Sequence, residues 1–279
     1  MTLPRWWVKL MRFLAMLLVI IAVLLIVRDV LNYPLTSDLH YYLFGAEQIA
    51  NGASPYGPIP DSQLKYLYAP WFAVALIPAT WLPFPLVAVI WHAILAVCAG
   101  VSIWPLLKER RLEGTLAAAL IGSFLFHGVW AGQVQPLMVA LLVVALPTRW
   151  GPLAIGIATS LKVTPIALCV CYAGRGEWGK VAVAVAVAAI LWAPALLFDL
   201  SQYGIGVMQS HSLLGHMPIA WGLVALLALA AAWRLAPTRY GWLAAAALWM
   251  AILPRMILYD PGGLAVGAVM PGTEPRGRD

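Results

Sequence analysis

The chain has 279 residues, 63% of them hydrophobic and 10% charged, with a mean hydropathy of +0.88. Several apolar runs of about 18 residues or more exclude a water-soluble domain, because such runs need lipid. The net charge of +6 does not indicate a nucleic-acid surface: the 17 cations lie in short segments between apolar runs, with no basic patch interleaved with aromatics, and the positive-inside rule accounts for them. Cys98, Cys169 and Cys171 sit inside apolar runs, which supports neither a disulfide framework nor a cysteine zinc site. The expected fold class is all-α, a polytopic bundle of transmembrane helices forming one integral membrane domain over 1–279.

Taken in order, Arg5, Lys9 and Arg12 precede an apolar run over 13–27 with no small-residue cleavage site after it, so it reads as a first span with its N-terminus cytoplasmic. The first outer loop, 28–84, follows. Its stretch 33–72 is the long polar interruption of the first half and carries Asp38, His40, Glu47, Asp61 and Lys65 beside six tyrosines. A polar loop of this length between spans is expected to be functional. Within it, Ser37 as N-cap and Gly52 as stop predict a short helix over 38–51, with Asp38, Tyr41, Tyr42 and Gly45 on one face. Glu47 lies half a rotation away, so Asp38 and Glu47 are not a paired-carboxylate site. Pro70 opens a short helix at the outer interface, anchored by Trp71 and Trp81.

Spans follow over 85–107, 114–130 and 136–147. The run 150–174 holds Lys162 at its middle; as one helix it would bury a cation at mid-membrane at a cost of about 2.5–3.5 kcal/mol. Two short helices turning at Lys162-Val163-Thr164-Pro165 avoid that cost and keep Arg175, Lys180, Arg234 and Arg239 cytoplasmic. A span over 181–198 then leads to the second outer loop, 199–217, and 218–233, 240–253 and 256–270 alternate inward, outward and inward. On this map every cation is cytoplasmic except Arg28, Lys65, Lys162 and Arg255. A cation held at the outer end against the topology rule needs an anion: a lipid phosphate, or a neighbouring acid such as Asp29 or Asp260.

Several motifs occur in order from about residue 30 to 260: an outer-loop Asp38 before a tyrosine-rich helix, A-x-x-I-A-N-G-A-S-P-Y, Y-x-Y-A-P-W-F, G-Q-V-Q-P, S-L-K-V-T-P, and L-P-R with Tyr259 shortly after. This ordered set resembles the membrane glycosyltransferases of family 87, of GT-C architecture. The resemblance implies about nine to ten membrane helices and transfer of a hexose, typically mannose. The donor would be a polyprenyl-phosphate-linked sugar and the acceptor a lipid or glycan on the extracytoplasmic face of the plasma (inner) membrane, with inversion at the anomeric carbon. It implies Asp38 as catalytic base; beside it Lys65, Lys162 and Arg255, cations held against the topology rule, and Gln133, Tyr42, Tyr68 and His211 are candidates for binding substrate or phosphate. The chemistry agrees, since attack on an anomeric carbon needs a carboxylate to take the acceptor proton and cations for the departing phosphate. The partners implied are the donor, the acceptor and membrane lipids, with no nucleic acid. No cofactor is called for beyond the donor substrate, and a divalent metal is left open.

This chain has Ala69-Pro70 where the family commonly has two prolines, and family members usually continue through more spans than 279 residues hold. An inactive, truncated member is therefore one alternative, and a transporter or lipid flippase is another. A metal site composed of Asp38, His40, His211 and His216 lacks the spacing of a known ligand set. Gly263-x-x-x-Gly267 reads as a helix-packing motif.

Overall fold

The computed structural model describes residues 5–32, 35, 37–59, 65–108, 111–201, 203, 213–254 and 256–270. Among these residues every regular element is helical. Helix α1 spans Arg5–Asn32, α2 Ser37–Ala50 and α3 Pro70–Leu76, the last continuing as a 3-10 turn over Ile77–Trp81. Helices α4 (Phe84–Lys108), α5 (Leu112–Ala131), α6 (Gln135–Ala145) and α7 (Gly151–Leu161) follow. A 3-10 turn over Thr164–Leu168 leads to α8 (Cys169–Ala173), and α9 (Trp178–Trp192) ends in a 3-10 turn over Ala193–Leu197. Helices α10 (Leu213–His216), α11 (Pro218–Leu235) and α12 (Gly241–Ala251) precede a 3-10 turn at Asp260–Leu264 and α13 (Ala265–Val269).

Among the described residues, five helical segments are long and apolar enough to cross a membrane: Trp6–Asn32, Phe84–Lys108, Leu112–Ala131, Trp178–Leu197 and Pro218–Leu235. The chain is thus a multi-pass membrane protein of helical type. Five shorter apolar helices accompany them among the described residues. The expected spans over 136–147 and 240–253 and both arms of 150–174 are apolar helices of only 10–17 residues, too short to cross a full hydrocarbon layer alone. They are sheltered by protein instead. Helix α5 packs on α1 and α4, α4 on α6, α6 on α7, and α7 on α9, while α11 lies on α12. The segment 260–269 enters between α4, α5, α6 and α12.

Small residues make these approaches possible. A Cβ on Gly156 of α7 would lie 2.6 Å from Val187 Cβ and 2.7 Å from the Ala184 carbonyl of α9. On the entering segment, a Cβ on Gly263 would lie 2.8 Å from the Trp249 ring, and one on Gly267 2.5 Å from Leu243 Cα. The expected Gly263–Gly267 packing motif is therefore seated against α12.

The break inside 150–174 falls where the sequence places it. Pro165 has no N–H to continue the helical ladder, and its ring clashes with the preceding turn. Lys162 accordingly leaves the helix with φ −138° and ψ 127°, its own N–H still bonded to the Ala158 carbonyl. Just past the end of α2 lies Gly52, whose φ of +73° is a left-handed turn that glycine adopts without strain. Trp81 is exposed, as an interface anchor would be. Trp71, expected in the same role, instead donates its indole N–H to Ser160 Oγ at 2.9 Å. A donor in an apolar setting takes the nearest buried acceptor, and here that acceptor is in protein.

Candidate active site

Four stretches distant in sequence meet at the ends of the short helices: α2, the extended residues 65–69, the turn between α5 and α6, and the segment after α12. Tyr42, on α2, is almost fully buried, and its phenol oxygen accepts the Val134 N–H at 3.1 Å. It lies 3.2 Å from the Tyr68 hydroxyl. Gln133 then donates from Nε2 to the oxygens of Tyr68 (3.1 Å) and Tyr259 (3.2 Å). The Gln133 amide is oriented by its other end, since Oε1 accepts the Gln135 N–H at 3.0 Å. Both N–H bonds of one buried amide thus fix two phenols, and each phenol keeps its own proton to donate.

Asp38 sits half-buried at the start of α2. Burial, then Tyr68, then the Asp38 carboxylate raise the Tyr42 phenol well above its ordinary range. Burial, then Asp38, then Asp260 do the same to Tyr259. One carboxylate therefore acts on rings from two ends of the cluster, and both rings stay protonated as hydrogen-bond donors.

The cation of the cluster is Lys162. Its Nζ lies 3.0 Å from Asp260 Oδ1 and 4.5 Å from the centroid of the Tyr259 ring. Asp260 Oδ2 accepts the Ile257 N–H at 2.8 Å, so the carboxylate uses both oxygens. The side chains are 18% and 6% exposed. An ammonium has three N–H bonds, and Asp260 takes one of them. Asp260 was only a possible partner in the sequence, where nothing but its position after Tyr259 marks it. Behind Tyr259, the His127 ring stacks at 5.8 Å and 23°, and His127 Nε2 is hydrogen-bonded to Asp29 Oδ2. His127 is thus a partner of Asp29 and a support for Tyr259.

The structure brings Tyr42, Tyr68, Gln133 and Lys162 into one network, with Asp38 within electrostatic reach. Lys65 is half-buried three residues before Tyr68. Arg255, His211 and Asp61 lie outside the described residues. Of the histidines weighed as metal ligands, His40 stacks on Phe84 at 4.2 Å and 16°, and His216 closes α10.

An acid, a cation and a layer of phenols gathered at the loop ends of a multi-pass helical membrane protein define a class: integral membrane proteins with a built polar site at one end of the bundle. The sequence profile of Glycosyltransferase family 87 matches residues 66–261, and the chain belongs to that family. It is similar to two polyprenol-phosphate-mannose-dependent alpha-(1-2)-phosphatidylinositol pentamannoside mannosyltransferases. That of Mycolicibacterium smegmatis is 31% identical over 171 residues, covering 54% of this chain and 40% of the relative. That of Mycobacterium tuberculosis is 29% identical over 149 residues, covering 46% and 34%. The matches thus span less than half the length of these curated relatives. No solved structure matches the chain.

Proposed function

We propose that the chain transfers a hexose, in first place mannose, from a polyprenyl-phosphate-linked donor to a lipid or glycan hydroxyl, on the extracytoplasmic face of the plasma membrane. The observation that carries this reading is the coexistence of Asp38 and Lys162 around one buried set of phenols. The family and the printed dependence of the two relatives on polyprenol-phosphate-mannose support the donor. A transporter calls for polar groups along a path through the membrane, whereas these groups collect at loop ends.

In the reaction, Asp38 accepts the proton of the acceptor hydroxyl as its oxygen attacks the anomeric carbon. The bond from that carbon to the phosphate oxygen breaks, and its electron pair leaves with the polyprenyl phosphate. Lys162 faces the charge that develops there, and in the low-dielectric setting such a contact weighs more than in water. Asp260 holds the ammonium in place while leaving N–H bonds for phosphate oxygens. Tyr68, half-buried, offers its hydroxyl to the sugar, Tyr42 and Gln133 hold that hydroxyl in place, and Lys65, Arg255 and His211 are further candidates for the donor's phosphate or sugar. Attack from the side opposite the leaving phosphate gives inversion.

The test is transfer of labelled mannose from a short-chain polyprenyl-phosphate donor by purified protein in nanodiscs, with the product anomer read by NMR. Transfer with inversion is expected, and a protein that binds neither this donor nor its phosphate would end the reading. Orientation is read separately. Single cysteines at Lys65 and Arg149 should react with an impermeant thiol reagent in intact cells at 65 and be protected at 149; equal labelling contradicts the outward site.

A further inference from the structure

Lys162 is held in place from both sides. Two residues before it, Ser160 is fully buried, and its Oγ accepts the Trp71 indole N–H at 2.9 Å while donating to the Ile157 carbonyl at 2.7 Å. The Ser160 carbonyl also accepts the Ala69 N–H at 3.3 Å. Two residues after Lys162, Thr164 Oγ1 accepts the N–H of Trp249, a ring that is 1% exposed, at 2.9 Å. Between these two contacts the helix is broken at one residue, Lys162, which is extended, and Pro165 keeps the ladder from continuing. Beyond the Lys162 N–H the ladder is interrupted, so the break can shift unless side chains fix it, and a long lysine amplifies any shift at its base.

We infer that Trp71 and Trp249 are positioning residues for Lys162, two indole donors that clamp the break on either side and set where the ammonium meets the donor's phosphate. The inference rests on the reading of Lys162 given above. Trp71 has a second consequence, because it belongs to α3 of the first outer loop, three residues after Tyr68. Its bond to Ser160 fixes the loop that carries the phenols, and Asp38 behind them, against the element that carries the cation. The indole is thus a side-chain tie, beside the Ala69 N–H to Ser160 carbonyl bond, between the element of the base and that of the phosphate ligand. Trp249 comes from α12 and its ring packs on Gly263, so it ties the break to the segment that supplies Tyr259 and Asp260.

The experiment uses Trp71→Phe and Trp249→Phe, which keep a ring and remove the N–H, beside Ser160→Ala and Thr164→Val, which remove the acceptors. Three quantities are read in nanodiscs: hydrogen exchange over 161–164 without donor, KM and kcat with a short-chain polyprenyl-phosphate mannose, and the melting temperature. The clamp predicts faster exchange at 161–164 in each single variant and a donor KM raised about five- to tenfold, the worth of one neutral hydrogen bond. The acceptor KM should stay unchanged. Trp71→Phe combined with Ser160→Ala should cost no more than either alone, since both remove one contact. Unchanged exchange overturns the clamp, and so does faster exchange with unchanged donor KM, or a KM loss that merely follows each variant's loss of melting temperature. A wild type that takes no donor would overturn the functional reading itself. That failure is distinguishable, because the exchange measurement needs no donor.

Discussion

Helices α11 and α7 are both strongly apolar, yet they use that character in opposite ways. In α11, 18 residues long, only 6% of the most apolar stretch is buried inside the protein, and Leu226 and Leu227 are largely exposed. In α7, 11 residues long, every position but Leu153 and Ile157 is buried. At 1.5 Å per residue α7 spans only about 16 Å, half a hydrocarbon layer. A helix facing lipid has its length set by the bilayer, because its ends must reach water or headgroups. A helix enclosed by other helices can stop early, and polar groups at its end are satisfied by protein rather than abandoned to lipid. The site is built at such early stops: Gln133 lies just before α6, and Lys162 just after α7.

If this division holds, substitutions in the two regions should differ in kind as well as size. The largest effect belongs to Asp38→Asn, which removes the proton acceptor and should lower transfer by about two to four orders of magnitude with the melting temperature unchanged. Near-normal transfer would move the base elsewhere. Next, Lys162→Gln leaves Asp260 buried without its cation and should destabilise the protein by about 3 kcal/mol as well as weaken donor binding. Adding Asp260→Asn separates the two: the double variant should regain most of the lost stability and none of the donor affinity. A double variant with restored binding would reduce the pair to a structural contact. Third, Gly156→Ala places a methyl against Val187 and the Ala184 carbonyl and should cost about 1–3 kcal/mol, measured as a fall in melting temperature. Smallest is Leu227→Ala on the lipid side, expected within about 0.5 kcal/mol of wild type. Equal losses at Gly156 and Leu227 would erase the contrast.

The sequence made the helix order legible, and the reason is charge. Lys162 within an apolar run, followed by Thr164-Pro165, demanded a break, and a break is what forms. Tyr42, Tyr68 and Gln133 could be nominated because their motifs recur in order in a known family; that they share hydrogen bonds was not readable, since they come from three separate stretches. Lys162 was read as a cation in need of an anion, and the acid it meets, Asp260, is 98 residues away. Trp71 was assigned to the membrane interface because tryptophans flanking spans usually go there. Its true partner, Ser160, is 89 residues away, and only the packing of α3 makes that hydroxyl the nearest acceptor. Hydropathy does not separate the two kinds of helix: it measures apolar character, which lipid-facing and enclosed helices share.

Helix α1 is joined to α5 at both ends. Arg12 binds Glu113 at 2.7 Å, and Asp29 binds His127. Along α1 the two contacts are separated by about 25 Å, and along α5 by about 21 Å. Held at two points, the two rods share a register: an axial slip of one turn, about 5.4 Å, would break both contacts together. Thinning the bilayer must then be met by leaning α1 and α5 as a pair. Since the second contact is made by the His127 that lies on Tyr259, the lean is delivered straight to the candidate site, and turnover should depend on the chain length of the surrounding lipids.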